Sequence, residues 1–390
     1  MTLKSEAEAL LDEFIAVRRH LHQIPELGNE EYETSDYIQK YLTSINIPGT
    51  RVLTTGVIGT IQGKKNGINR TIALRSDIDA LPVEEKTGLT YASNHPGKMH
   101  ACGHDMHMAS LLFAAKLLKM HEDDFSGTVK LIFQMDEEGE GGAERLIQEG
   151  VLDDVDAVYG LHVNPALPAG VIGIRYGRFY ASAGKFDITV HGKGTHGAEP
   201  ENGIDALYGA AVLAEKLKEL TGEYDFEGEK VRAVVSVGSF HAGTVRNIIP
   251  DTAELSGIVR TPGVDFREVM KQKIEEVIQL TEEKTAVNID MNFVNGYPGV
   301  VNHDRETALA EKCAGEILGE DSVVILNEPT MTTEDFGYYL LKRPGCFYHV
   351  GVDCEYPLHS PYFNPDERGI LSAALMHASI VLKENGGETL

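Results

Sequence analysis

The residues predict an α/β protein: an open, mostly parallel sheet with flanking helices, into which a separate α+β module of ferredoxin-like pattern is inserted. Two observations carry this. Three apolar runs, TIALRSD, TVKLIFQ and DAVYGLHV, alternate with helical patterns, and each turns polar where its strand should end: at Asp77 and Asp79, at Asp136, Glu137 and Glu138, and at His162. An open α/β sheet binds ligands beside the carboxyl ends of its strands, so this organisation predicts a single cleft. From residue 183 to 296 the order changes to strand, helix, strand, strand, helix, strand, the grammar of two helices on one face of a four-stranded antiparallel sheet. At 390 residues the chain is long for one core, and two domains are expected, one from residues 1–182 and 297–390, the other from 183–296.

Each element has its own reason. The stretch MTLKSEAEALLDEFIAVRRHLHQ is an amphipathic helix with acids throughout, and it lacks the uninterrupted apolar core of a secretory signal. The chain turns at Pro25 into a second helix that carries Tyr37, Ile38 and Leu42 towards the core. RVLTTGVIGTIQG reads as one strand and TIALRSDIDALP as another; if the latter persists, Asp77 and Asp79 share a face. MHMASLLFAAKLLKM is helical. Within the insert, KFDITVHG, VRAVVSVGSF, TAELSGIVRT and AVNIDMNFV read as strands, and DALYGAAVLAEKLKEL and FREVMKQKIEEVIQLTEE as helices. After it come a helix from Asp304 to Leu318, a strand at SVVIL, a helix near EDFGYYLL, a strand at CFYHVG and a last helix beyond Pro365.

Charge narrows the function classes. Sixty acidic residues against 35 basic ones give a net charge of −25, spread along the chain. Such a field repels nucleic acid and anionic membrane surfaces, so neither is an expected partner. No stretch reaches the ~20 apolar residues of a membrane span. Four cysteines without paired spacing fit a reducing, cytoplasmic setting.

The chemistry gathers at MHACGHDMHM, which places His100, Cys102, His104, Asp105 and His107 within a few positions. Imidazole and thiolate are donors that Zn²⁺ takes at about 2.0 to 2.3 Å, and a catalytic site needs about three protein ligands and one open position. Three histidines spaced four and three apart can also be a solvated helix face, and a lone cysteine is more often a small buried hydrophobe. Other strand ends add weight to the metal reading. Glu137 and Glu138 close an apolar strand; one could bind metal while the other faces substrate, and Glu137 is the candidate general base. Asp77 and Asp79 could orient a ligand or serve as one. His162 and His359 are weak alone, yet with the cluster they complete a donor set for one or two ions. Such a site hydrolyses by polarising a carbonyl and activating water. In the insert, His196, Asn247 and Arg260 are hydrogen-bonding types near turns or strand ends; an Arg can hold a carboxylate with a bidentate fork.

The ordered set RSDIDALP, MHACGHDMH, QMDEEGEGGA, GLHV, GKGTHGAEP, RNIIP, EDFGYYL and LHSP resembles the zinc aminoacylase and carboxypeptidase clan. Within it the chain is most similar to the amidohydrolase branch of hippurate hydrolase, plant auxin-conjugate hydrolases and bacterial N-acetyl-diaminopimelate deacetylase. The resemblance implies a zinc-peptidase-like catalytic domain and two divalent ions, Zn²⁺ or Mn²⁺, held by Cys102, His104, Glu138, His162 and His359. It implies Glu137 as general base, with Asp79 or its neighbour Asp77 orienting a metal ligand. It makes the insert a lid and dimerisation domain, whose His196, Asn247 and Arg260 help hold the substrate in a homodimer or higher homo-oligomer. Two places depart from the branch. Met135 and Asp136 stand where Pro-Ala usually precedes the glutamate pair, and His196 is followed by Gly197, Ala198 and Glu199 instead of two alanines.

The expected activity is hydrolysis of the amide bond in a small N-acyl amino acid, releasing a carboxylic acid and an amino acid. An exopeptidase or dipeptidase would use the same residues. An inactive metal-binding scaffold is the remaining reading, and the presence of Glu137 beside every donor counts against it.

Overall fold

The computed structural model describes residues 2–386 and divides into two compact units. The first comprises Met1–Gly177, Asn302–Glu328 and Tyr338–Leu390, the second Arg178–Val301 and Pro329–Gly337.

In the first unit, helix α1 (Leu3–Gln23) buries Phe14, Val17, Leu21 and, unusually for a helix face, Arg18 and His22. Helix α2 (Tyr32–Ser44) buries Ile38 and Leu42, with Tyr37 half-buried. The run expected to form one strand folds back on itself as β1 (Gly49–Val52) and β2 (Gly56–Gln62), paired antiparallel. Leu53, at φ 54, turns the chain without the glycine or asparagine that would have signalled it. Strand β3 (Thr71–Asp77), helix α3 (His104–Met120), strand β4 (Thr128–Gln134), helix α4 (Ala143–Gln148) and strand β5 (Ala157–Asn164) follow. The sheet has eight strands in the order β1, β2, β4, β3, β5, Gly345–Gly351, Ile172–Ile174, Val323–Ile325. Its centre, from β4 through β3 and β5 to Gly345–Gly351, is parallel, while β1 and β2 join one side antiparallel. Parallel central strands are covered on both faces and therefore read as continuous apolar runs. Helix α3, apolar on nearly all sides, is buried from His104 to Leu118 except at Lys116.

The second unit is an antiparallel sheet with its own core, built from Phe186, Ile188, Val190, Leu213, Phe266, Met270 and Ile274 among others. Its sheet has five strands, in the order Gly222–Phe226, Glu229–Ala242, Thr252–Thr261, Ser182–His191, Asn288–Asn295, where four were expected. The extra strand is the polar GEYDF, joined to the next by Glu227 and Gly228 at φ 53 and 85. Two positive φ values in a two-residue loop give the turn that matches hairpin twist. The helices Ala206–Glu219 and Val264–Thr285 complete the unit. No helix among the described residues is long and apolar enough to cross a membrane.

Candidate active site

Three neighbouring parallel strands end at one place. Strand β3 delivers Asp77 and, two residues beyond it, Asp79; β4 leads to Glu137 and Glu138; β5 carries His162. The loop before α3 adds Cys102, the first residue of α3 is His104, and His359 comes from the loop after Gly345–Gly351. Gly103 links the two cluster residues at φ 87, where a Cβ would lie 2.5 Å from Val163 Cγ2. No other residue fits that turn, because both its dihedral angle and its space exclude a side chain.

Donor atoms converge. Cys102 Sγ is 3.3 Å from His162 Nε2 and 3.3 Å from His359 Nε2. Glu138 Oε1 is 3.2 Å from His359 Nε2 and 3.9 Å from His104 Nε2. Two triads, Cys102 with His104 and His162, and Cys102 with Glu138 and His359, each have all donor atoms within 4.8 Å of one another, as do His104, Glu137 and Glu138.

Two of the imidazoles are aimed by their other nitrogen. His104 Nδ1–H donates to the Asp79 carbonyl at 2.9 Å, and His162 Nδ1–H to the Val163 carbonyl at 2.8 Å. Both leave Nε2 as the nitrogen that faces the cluster. His107 is arranged in the opposite sense. The Val163 N–H donates to its Nε2 at 3.0 Å, so its proton sits on Nδ1 and goes to Asp77 Oδ1 at 2.7 Å. Both nitrogens of His107 are thus satisfied.

Strand β3 stops at Asp77, yet both aspartates approach His104, Asp77 Oδ2 lying 3.7 Å from its Nε2. Asp77 binds His107 and Arg75, whose Nη1 lies 2.7 Å from Oδ2. Asp79 instead accepts the Glu138 N–H on Oδ2 at 2.9 Å and stands 3.3 Å from His104 Nδ1. His100 lies before the helix, is buried, and makes no side-chain hydrogen bond among the described residues.

The electrostatics ask for a cation. Burial pushes the Cys102 thiol well up, and Glu138 and Glu137 push it further. Burial alone would lower His104, but Asp77, Asp79 and Glu138 outweigh it and hold it at about 10. A field that keeps a proton on an enclosed imidazole equally attracts a metal ion. His104 Nε2 is moreover buried with no hydrogen-bond partner among the described residues, a cost that a ligand bond would remove. Donors about 2.0 to 2.3 Å from a tetrahedral ion stand roughly 3.5 Å apart, close to the separations seen at Cys102. The residues therefore fit a metal centre in geometry and in donor chemistry.

The three candidate substrate residues lie in the second unit. His196, in the short strand Thr195–His196, pairs with Ile248, and the Asn247 carbonyl accepts the Gly197 N–H at 2.8 Å, so these two are neighbours. Arg260 sits eight residues along strand Thr252–Thr261 from Thr252, roughly 27 Å at 3.4 Å per residue. The fold brings His196 and Asn247 together at one end of this unit and puts Arg260 at the other.

Residues 73–383 match the model of the peptidase family M20/M25/M40. The N-acetyl-L-cysteine deacetylase of Bacillus subtilis (strain 168) is 40% identical over 381 residues, covering 96% of this chain and 90% of that protein. Thermostable carboxypeptidase 1 of Saccharolobus solfataricus is 37% identical, covering 98% of each chain. Among solved structures, a Bacillus subtilis protein described as a dinuclear metal binding peptidase from the M20 family superposes with a TM-score of 0.87 at 33% identity, over 98% of this chain and 100% of that one.

Proposed function

The chain belongs to the peptidase family M20/M25/M40, and from that premise we propose that it is a metal-dependent hydrolase cleaving the amide bond of N-acyl amino acids. One observation carries the reading: five metal-competent side chains spread from Cys102 to His359 converge beside a buried carboxylate, Glu137, that belongs to the same cluster.

In this reading Cys102, His104, Glu138, His162 and His359 hold two divalent ions. A thiolate among the donors favours Zn²⁺, and the imidazoles and carboxylate also accept Mn²⁺. Bound there, the ions supply Lewis-acid polarisation of the scissile carbonyl and make water more acidic. Glu137 takes a proton from the attacking water as the new C–O bond forms, then returns it to the leaving nitrogen as the C–N bond breaks. Asp79 fixes the orientation of His104 and Glu138. His196, Asn247 and Arg260 contact the substrate's polar groups. The distance between the His196 and Arg260 ends of one insert supports a homodimer in which they serve different centres, and a monomeric mass on sedimentation would remove that part. A cytoplasmic location suits four unpaired cysteines, and cell fractionation checks it.

Reconstitution with Zn²⁺, Mn²⁺ or Co²⁺ and a panel of acetyl- and benzoyl-amino acids tests the activity. Glu137→Gln keeps its bound metal and loses turnover by about 10²- to 10⁴-fold; retained turnover removes Glu137 from the role. The relative named as a carboxypeptidase favours a second reading, exopeptidase action through the same site. Plain dipeptides cleaved faster than their N-acyl counterparts would establish it.

A further inference from the structure

Strand β4 ends at Gln134, and three residues later two consecutive glutamates both present an oxygen within 4.8 Å of His104. Neighbouring residues of an extended chain point to opposite faces, so the backbone must leave the strand before Glu137. It leaves at Asp136, whose φ is 57, a left-handed conformation that a residue with a Cβ keeps only when its surroundings hold it there.

The surroundings hold Asp136 through its N–H, its carbonyl and Oδ2. Its N–H donates to Oε1 of the buried Glu31 at 3.0 Å, and the other Glu31 oxygen accepts the Thr55 hydroxyl at 2.6 Å. Its carbonyl accepts the Gly141 N–H at 3.1 Å. Arg145 Nη2 donates to Oδ2 at 2.8 Å, while Nη1 of the same guanidinium donates to Asn29 Oδ1 at 2.8 Å. Oδ1 sits in a cleft that exists because Gly28 and Gly139 lack side chains: a Cβ on either would come within 2.1 and 2.2 Å of it. The Asp136 side chain, buried itself, is in none of the donor groups of the metal cluster among the described residues. The stretches 28–31 and 139–145 therefore close on one turn, with Thr55 behind Glu31, and what that turn carries next is Glu137.

We propose that Asp136, clamped by Glu31 and Arg145, is a positioning residue that sets the direction of the Glu137 carboxylate. This rests on the reading of Glu137 as the general base. The clamp matters because displacing a reacting group by ~1 Å can cost ~10²-fold in rate.

The test uses the full-length, metal-loaded protein. Asp136→Ala is expected to lower kcat by about 10²-fold, with KM and bound metal per chain unchanged and with the amides of residues 136–141 exchanging against deuterium faster than in the parent. Asp136→Asn tolerates a left-handed backbone and still fills the Gly28–Gly139 cleft, so it recovers at least about tenfold of that loss. Parent-like kcat in Asp136→Ala, loss of its metal, unchanged exchange at 136–141, or no recovery with Asn each overturns the proposal. If Asp136→Ala does not fold, Arg145→Ala, from the more exposed partner, carries the same comparison. Should the metal-loaded parent cleave neither N-acyl amino acids nor dipeptides, the functional reading has failed by itself. Exchange at 136–141 then decides the positioning alone, faster supporting it and unchanged refuting it.

Discussion

Which nitrogen of a histidine carries its proton decides whether the ring can bind a metal, and here the choice is made by groups outside the cluster. The Asp79 carbonyl fixes His104, the Val163 carbonyl fixes His162, and the Val163 N–H commits His107 to Asp77. Of three histidines close together in the sequence, one therefore points inward as a donor, one is satisfied elsewhere, and His100 stays apart. That difference was not legible in MHACGHDMHM, since it depends on the backbone of β5 more than 50 residues away. The donor types themselves were legible. The two aspartates can now be told apart by experiment. Asp79→Asn weakens the carboxylate that aligns His104 and Glu138, so metal affinity falls by about 10- to 100-fold with little change in the apo-protein's stability. Asp77→Asn breaks the buried ion pair with Arg75, whose Nε keeps its bond to Gln134, so its larger effect is on stability, about 3 to 5 kcal/mol for a broken buried pair. Metal titration and urea unfolding of both variants check this, and equal effects on both readouts would refute the division of roles.

At the scale of elements, α3 is held at both ends by side chains that its apolar pattern does not announce. Its first turn is flanked by Asp105, whose Oδ2 lies 2.7 Å from Arg18 Nε and 2.8 Å from His22 Nδ1, both on the buried face of α1. Two basic residues on the apolar face of a helix, within RRHLH, were the available sign of that network. At its far end His121 bridges Asp124 at 2.8 Å and Glu6 of α1 at 2.6 Å. Burial would lower the His121 pKa, yet hydrogen bonds to Asp124 and Glu6 outweigh it and raise it. A raised folded-state value means protonation favours folding, so this contribution is complete below the unfolded value of about 6.5 and is lost as pH climbs through the folded one. His121→Gln should therefore destabilise most at pH 5.5, on the order of 1 kcal/mol, and progressively less towards pH 9. Urea midpoints for both proteins across that range test it, and a deficit that grows with pH would refute it. The strands were less evenly legible. Apolar runs of the central sheet stood out because both faces are covered, while β1 and the Gly222–Phe226 strand were missed because one turns without glycine and the other is polar.

Over the whole molecule, pattern changes between helical and strand periods marked the insert, since it builds a core of its own. Beyond the insert, Pro329–Gly337 also belongs to that second unit; it overlaps the run EDFGYYLL expected to be helical, of which only Gly337–Leu340 is, and a short helical pattern gives no sign of which unit it joins. All the proposed donors, by contrast, lie in the first unit, though its chain arrives in three pieces. That unit also concentrates Asp77, Asp79, Glu137 and Glu138 at one set of strand ends, in a protein already at −25. Without metal their mutual repulsion is offset only in part, by the Arg75–Asp77 ion pair and the neighbouring imidazoles, so metal binding must stabilise the first unit selectively. Ligand that binds only the folded state adds about 2.7 kcal/mol at a free concentration of 100 times Kd. Calorimetry of chelated and Zn²⁺-loaded protein should resolve a transition that rises by several degrees with metal, while a second, from the separate core of the insert, stays in place. Glu138→Gln, which weakens the site, should shrink the first shift and leave the second transition untouched. If metal moved both transitions equally, or neither, the stabilisation would not originate at these strand ends.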